Sequence, residues 1–185
     1  MTTIGNLTTR QIAGLRTTAI VGLTTTDVAA LKTTQIAALK ASQINAFETT
    51  DLQALAATQI TGFSVSAVRG LSMSVLLALT DTQTAAFAPA QIAALSAAAL
   101  SALSSTEVQA WTATQLGALT ARQLGGLTTT ALDNFSTTQL AALTTTQVQG
   151  LTGAQLNGIS TESLNAFDVA DLSTRQVKGL NVTAV

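Results

Sequence analysis

The sequence predicts an all-α fold, an α-solenoid of very short capped helices with one helix per eight residues. Three observations carry that prediction. A large apolar residue recurs at every eighth position from Leu7 to Phe167, 21 times without a polar exception. Five residues after each of these stands Ile, Val or Leu, with Thr84 the one exception. The residue just before each is Ala or Gly, except at Asn6 and Asn134. Self-similarity at a fixed short period marks a repeat architecture, in which units bury their apolar faces against neighbouring units.

The period restricts the conformation. In a strand, apolar positions spaced five and three apart would fall on opposite faces, because side chains alternate. In one continuous helix, eight residues make about 2.2 turns, so the apolar stripe would precess by roughly 80° per unit. Recurrent threonines also lower helix propensity at regular intervals. A helix that stops and restarts in each unit satisfies the pattern. A β-solenoid is the alternative.

The stretch LTTTQVQGL, residues 143–151, gives the parts of the unit in order. Thr144 is the N-cap, Thr145 the first helical residue and Gln147 the third. Thr-x-x-Gln is the spacing of a capping box, in which the hydroxyl and the amide oxygen each accept a hydrogen bond from a backbone N–H. Leu143 before the cap and Val148 at the fourth helical position have the spacing of a hydrophobic staple. Gly150 lets neighbouring helices approach closely, and Leu151 closes one helix and opens the next. Pro89 falls on a first helical position, where its missing N–H does no harm. Sixteen of 22 cap positions carry Ser, Thr or Asp. At Arg16, Lys32, Lys40, Glu48, Ala56 and Ala88 a shift of the cap by one residue is expected in some units.

The regular register runs from 7 to 167, a shortened unit follows at 168–172, and a final unit occupies 173–180. The chain from 1 to 185 therefore reads as a single continuous array without a linker. Phe63, Phe87, Trp111 and Phe135 are spaced by 24, Ile159 continues the series, and Phe47 and Phe167 share a second column at that spacing. Three octads per coil, with aromatics stacked down one corner, is the expectation.

Composition excludes much chemistry. The chain has no Cys and no His, which removes disulfides, thiolate catalysis, Cys/His zinc sites and imidazole acid–base chemistry. Net charge is −1, and the eight cations are scattered: Arg10, Arg16, Lys32, Lys40, Arg69, Arg122, Arg175 and Lys178. Nucleic-acid binding needs clustered cations that displace counterions, so no nucleic-acid partner is expected. The most apolar stretch, 87–103, is interrupted by Pro89, Gln91 and two serines and keeps the octad register, so no membrane insertion is expected. The opening MTTIGNLTTR lacks a basic segment followed by an apolar one, so no signal peptide is visible.

The acids are Asp27, Glu48, Asp51, Asp81, Glu107, Asp133, Glu162, Asp168 and Asp171. Asp27, Asp51, Glu107 and Asp171 take the Gln position of the unit, where an acid caps the helix start and suits its dipole, so a capping role is expected of them. Glu48 and Asp51 resemble an ordinary helix N-terminus, and DVAD at 168–171 lacks the glycine-bearing loop of a calcium site. The many hydroxyls have no evident base, the glycines of RQLGGL follow the repeat and form no phosphate loop, and Trp111 is a packing residue. No catalytic residue, metal site or cofactor is expected, and the chain reads as not an enzyme.

The unit L-T-T-x-Q-[IVL]-x-[AG]-L resembles the octapeptide arrays of large bacterial secreted or surface proteins of adhesin type. That resemblance implies a non-enzymatic repeat segment, a spacer or interaction scaffold of a larger secreted or cell-surface chain. The unit is also similar to the opening LTPxQVVAI of the DNA-binding repeats in plant-pathogen effectors. That likeness stops at one unit, because the effector repeat is about four times longer and carries a base-reading pair absent here. Two other functions fit a solenoid: a protein- or peptide-binding surface, and an ice-binding face built from threonine arrays. The threonine rows fail between 56 and 103, at Ala56, Val65, Met73, Pro89 and Ala97. No polar end cap is evident at Ile4 and Leu7 or after Leu180, so end-to-end self-association is expected.

Overall fold

The computed structural model describes residues 4–181. The chain divides into two compact units, Met1–Leu95 and Ser96–Val185, and the octad builds both. In the first, a 3-10 turn at Ile4–Asn6 is followed by α1 (Thr9–Ala13), α2 (Thr17–Val21), α3 (Thr25–Ala29), α4 (Thr33–Ile36), α5 (Ala41–Ile44) and α6 (Thr49–Ala54). Then come α7 (Ala57–Ile60), α8 (Val65–Arg69), α9 (Met73–Ala78), α10 (Asp81–Ala85) and α11 (Pro89–Ile92). The second unit holds α12 (Ala97–Ser101), α13 (Ser105–Gln109), α14 (Ala113–Gly117), α15 (Ala121–Gly125), α16 (Thr129–Asp133) and α17 (Thr137–Ala141). It continues with α18 (Thr145–Val148), α19 (Gly153–Gly158), α20 (Thr161–Asn165), a 3-10 turn at Val169–Asp171 and α21 (Thr174–Gly179). The described residues contain no strand, so the β-solenoid alternative is not supported.

The stretch LTTTQVQGL shows how a helix is held at both ends. Thr144 is extended at φ −71°, ψ 155°, its hydroxyl accepts from the Gln147 N–H, and Gln147 Oε1 accepts from the Thr144 N–H at 2.9 Å. At the other end the Leu151 N–H donates to the Val148 carbonyl at 3.0 Å. No described residue has positive φ, so these helices end by extending the chain at the closing and cap residues. Caps of this kind matter for helices of four to six residues, which are unstable alone.

The expected shift at non-standard caps does not occur. α4, α5, α7 and α11 start in register from Lys32, Lys40, Ala56 and Ala88, none of which accepts a bond through its side chain. Only the glutamine half of the box forms there: Gln35, Gln43, Gln59 and Gln91 accept from the cap N–H at 2.6–2.8 Å. A glutamine reaching back to a backbone donor needs nothing from the cap side chain, so the register holds.

In the first unit each helix from α4 onward rests on the third one before it: α4 packs on α1, α5 on α2, α6 on α3, α7 on α4, α8 on α5, α9 on α6, α10 on α7 and α11 on α8. In the second, α15 packs on α12, α18 on α15, and α20 on α17, while α12 also touches α16. Each coil therefore contains three octads, as the 24-residue aromatic spacing suggests. Within each unit, residues 24 apart occupy equivalent places in successive coils, so Phe63 matches Phe87 and Trp111 matches Phe135, all buried. Closing residues and the branched residues at the fourth helical position form the core, for example Ile36, Leu39, Leu124 and Leu127. Thr84 is wholly buried at that branched position, and its hydroxyl donates to the Thr80 carbonyl at 3.1 Å, which satisfies the polar group.

The small residue before the closing position has a structural cause. A Cβ placed on Gly62 would lie 2.7 Å from Thr33 Cγ2, one on Gly70 2.6 Å from Ala41 Cβ, and one on Gly126 2.8 Å from Ala97 Cβ. On Gly150 it would lie 2.5 Å from the Ala121 carbonyl oxygen. The small residue presses on the first helical residue of the coil before it.

Candidate functional site

The recurring polar feature is the glutamine at the third helical position. Its Oε1 is used within its own unit, as described for Gln147. Its Nε2 reaches the previous coil: Gln147 donates to the carbonyls of Leu116 at 3.1 Å and Leu119 at 2.8 Å, 31 and 28 residues earlier. Gln155 does the same to Leu124 (2.8 Å) and Leu127 (2.7 Å). In the first unit Gln35 donates to Ile4 and Leu7, Gln43 to Ile12 and Leu15, Gln83 to Leu52 and Leu55, and Gln91 to Ile60 and Phe63. The acceptors are the carbonyls of the branched residue, which also accepts from the N–H of the closing residue, and of the closing residue itself, beyond the end of a one-turn helix. One amide thus caps a helix start and a helix end in successive coils. Each bond contributes about 0.5–1.5 kcal/mol net, and each buried carbonyl would cost more if unpaired.

Where that glutamine is missing, the previous coil often supplies the acceptor. α9 has Val75 at the glutamine position, and the Ser72 N–H donates instead to Asn45 Oδ1 at 2.9 Å, 27 residues earlier. α16 has Ala131 there, and the Thr128 N–H donates to Ser101 Oγ at 3.2 Å. α20 has Ser163, and the Ser160 N–H donates to Asp133 at 3.0 Å. Asn134 Nδ2 also takes over the missing donor of the α16 unit by bonding the Leu103 carbonyl at 2.9 Å. Asn6 and Asn134 were the two departures from the small-residue position, and this contact explains the second.

The acids divide. Asp27 and Glu107 complete capping boxes, accepting from the backbone of Thr24 at 3.1 Å and of Ser104 at 2.7 Å. The Thr24 hydroxyl, and then its backbone N–H, hold the Asp27 carboxyl below the ordinary aspartate range. Two expected caps are absent. No box forms at Asp51, where the cap is Glu48, which offers no hydroxyl and brings a second carboxylate. Asp171 is the third residue of a 3-10 turn whose cap, Asp168, brings a carboxylate and no hydroxyl, and it accepts instead from the Thr145 hydroxyl of the coil before. Asp168 caps that turn itself, accepting from the Ala170 N–H at 2.9 Å. Asp133 bridges coils as above, while Asp81 and Glu162 are exposed in the first turns of α10 and α20.

Among the described residues no three of His, Cys, Asp and Glu gather as a metal-binding group, and no helix is long and apolar enough to cross a membrane. Threonines at the first two helical positions, such as Thr49, Thr50, Thr145 and Thr146, are exposed, while the rows break at Val65 and Met73.

Sequence reasoning assigned the glutamine only to the capping box. A signal for its second role was present: glutamine is kept at 35, 43, 59 and 91 although the cap there is Lys or Ala and cannot reciprocate.

Two stretches, residues 4–41 and 121–153, match the family model described as the ALTTAQ repeat, one within each compact unit. Neither the comparison with curated proteins nor that with solved structures returns a match. The chain is a repeat protein with ALTTAQ-like octads in both of its units.

Proposed function

We propose that this chain is a non-enzymatic structural segment, a spacer or interaction scaffold of a larger bacterial protein that is secreted or displayed on the cell surface. The observation that supports it is the use of the recurring amides: glutamine after glutamine is engaged in tying one coil to the next. Such an array gains stability from each added coil and can change length without changing its local chemistry. The adhesin-like resemblance of the octad supports the location, and surface proteolysis of intact cells tests it. Cleavage of the segment by added protease is expected, and full protection inside the cytosol would reject the location. Removing whole coils of 24 residues from one unit in the native chain tests the spacer role. A graded change with length supports it, while abrupt loss of function in a stably folded variant rejects it.

The scaffold reading includes association of one array with the end of another. A mass that rises with concentration in analytical ultracentrifugation supports that element, and a constant monomer mass removes it. Protein or peptide binding along the solenoid is the alternative scaffold role. Ice binding is disfavoured by the interrupted threonine rows, and a measured thermal hysteresis would revive it.

A further inference from the structure

The shortened unit at 168–172 alters one contact in a way that opens a cavity. Elsewhere the small residue before a closing position presses on the first helical residue 29 places earlier, as Gly158 does on Thr129, where an added Cβ would lie 2.9 Å from Cγ2. Loss of three residues makes Gly179 and Gly153 the corresponding pair. A Cβ on either meets nothing within 4 Å. Both line a cavity of about 460 Å³ together with Gln149, Thr152, Ser173 and Arg175. That volume falls within the range of small-ligand pockets.

Arg175 is the one charged side chain that lines the cavity. No acidic side chain lines it, and α21 carries both Arg175 and Lys178 with no acid in its six residues. Thr152 and Ser173 are engaged in capping boxes with Gln155 and Gln176, and Gln176 also donates to Val148 and Leu151. The Arg175 guanidinium has the fork of donors that matches a carboxylate. We propose that this cavity binds a carboxylate-bearing ligand, with Arg175 pairing with the carboxylate and the Gly153–Gly179 gap admitting the attached chain. It adds a ligand site to the scaffold and does not depend on the spacer reading.

The test is titration of the isotope-labelled 185-residue chain with N-acetylglutamate, followed at the Gly153 and Gly179 amide signals by NMR. Saturable shifts are expected with N-acetylglutamate and not with the neutral N-acetylglutamine. Arg175→Gln, at an exposed position, is expected to weaken binding at least about tenfold, the size of a lost charge-assisted hydrogen bond. Gly153→Val with Gly179→Val is expected to abolish binding by filling the gap, with an unchanged circular dichroism spectrum because both Cβ positions are open. A blocked tripeptide with central glutamate distinguishes the sources. Tighter binding than N-acetylglutamate indicates a peptide side chain, and equal or weaker binding indicates a free small carboxylate. Absence of saturation at concentrations on the order of 10 mM would overturn the proposal. So would shifts that persist in the folded, gap-filled variant.

Discussion

Changing Gln155 to Glu alters one atom that the fold uses twice. The acceptor Oε1, 2.7 Å from the Thr152 N–H, is kept. The donor Nε2, 2.8 Å from the Leu124 carbonyl and 2.7 Å from the Leu127 carbonyl, is replaced by a carboxylate oxygen. Two hydrogen bonds are lost, the Leu127 carbonyl loses its partner while the Leu124 carbonyl keeps the Leu127 N–H, and a negative charge faces both. At roughly 1 kcal/mol per bond, with a further desolvation cost for the groups left unpaired, the loss is about 3–5 kcal/mol. That is a large fraction of the 5–15 kcal/mol typical of a folded domain.

Urea unfolding at pH 7, followed by helical circular dichroism, measures it. The introduced carboxyl has its folded-state pKa raised by burial against carbonyls. The deficit is therefore smallest below the unfolded-state value of about 4.3 and grows as pH rises through the folded-state value. Gln11→Glu is the control: Gln11 is exposed and caps Thr8 within its own unit. A Gln155→Glu midpoint equal to that of the control at pH 7 would refute the two-sided role of the glutamine.

Other perturbations test the same contacts. Gly150→Ala drives a methyl into the Ala121 backbone and is expected to cost about 1–3 kcal/mol, while Gly179→Ala, with open space, leaves stability unchanged or slightly raised in the same urea assay. Asn45→Ala removes the acceptor of the Ser72 N–H and is expected to cost about 1 kcal/mol. Adding Val75→Gln to it restores an acceptor within the unit, and absence of recovery in a double-mutant cycle would contradict the substitution rule. Thr24→Val removes the first cause of the depressed Asp27 pKa, so NMR titration is expected to show that pKa rising toward the ordinary aspartate value. The sign follows: in the unaltered chain the contribution of the Asp27 cap is present above the unfolded-state pKa and lost as pH falls through the lower folded-state one.

Much of the unit was legible because its contacts are short-range. The Thr144–Gln147 box joins residues three apart, and the helical turn that brings them together is the same in every context. Pro89 at a first helical position and the apolar spacing from Leu7 onward follow from the same local rules. The non-standard caps were harder, since a lysine or alanine before a helix suggests a displaced start. The Gln35 oxygen keeps the Lys32 cap in place, a contact visible only with the side chain in position. Asp51 and Asp171 share the same octad position as Asp27, yet one follows a glutamate cap and the other lies in a truncated turn.

By itself the sequence determined the helical conformation of the octad, its Thr/Ser caps and its apolar positions, and the 24-residue spacing of its aromatics suggested three octads per coil, which the helix contacts established. Tertiary structure decided which residues from different coils meet: Gln155 with Leu124 and Leu127, Ser160 with Asp133, and Gly179 with an open gap. The physical reason is range. Bonds across three residues depend on local dihedral angles, whereas bonds across 28 or 31 depend on the rotation accumulated over three successive units. A shift of three residues in one unit is enough to turn a closed contact into a cavity.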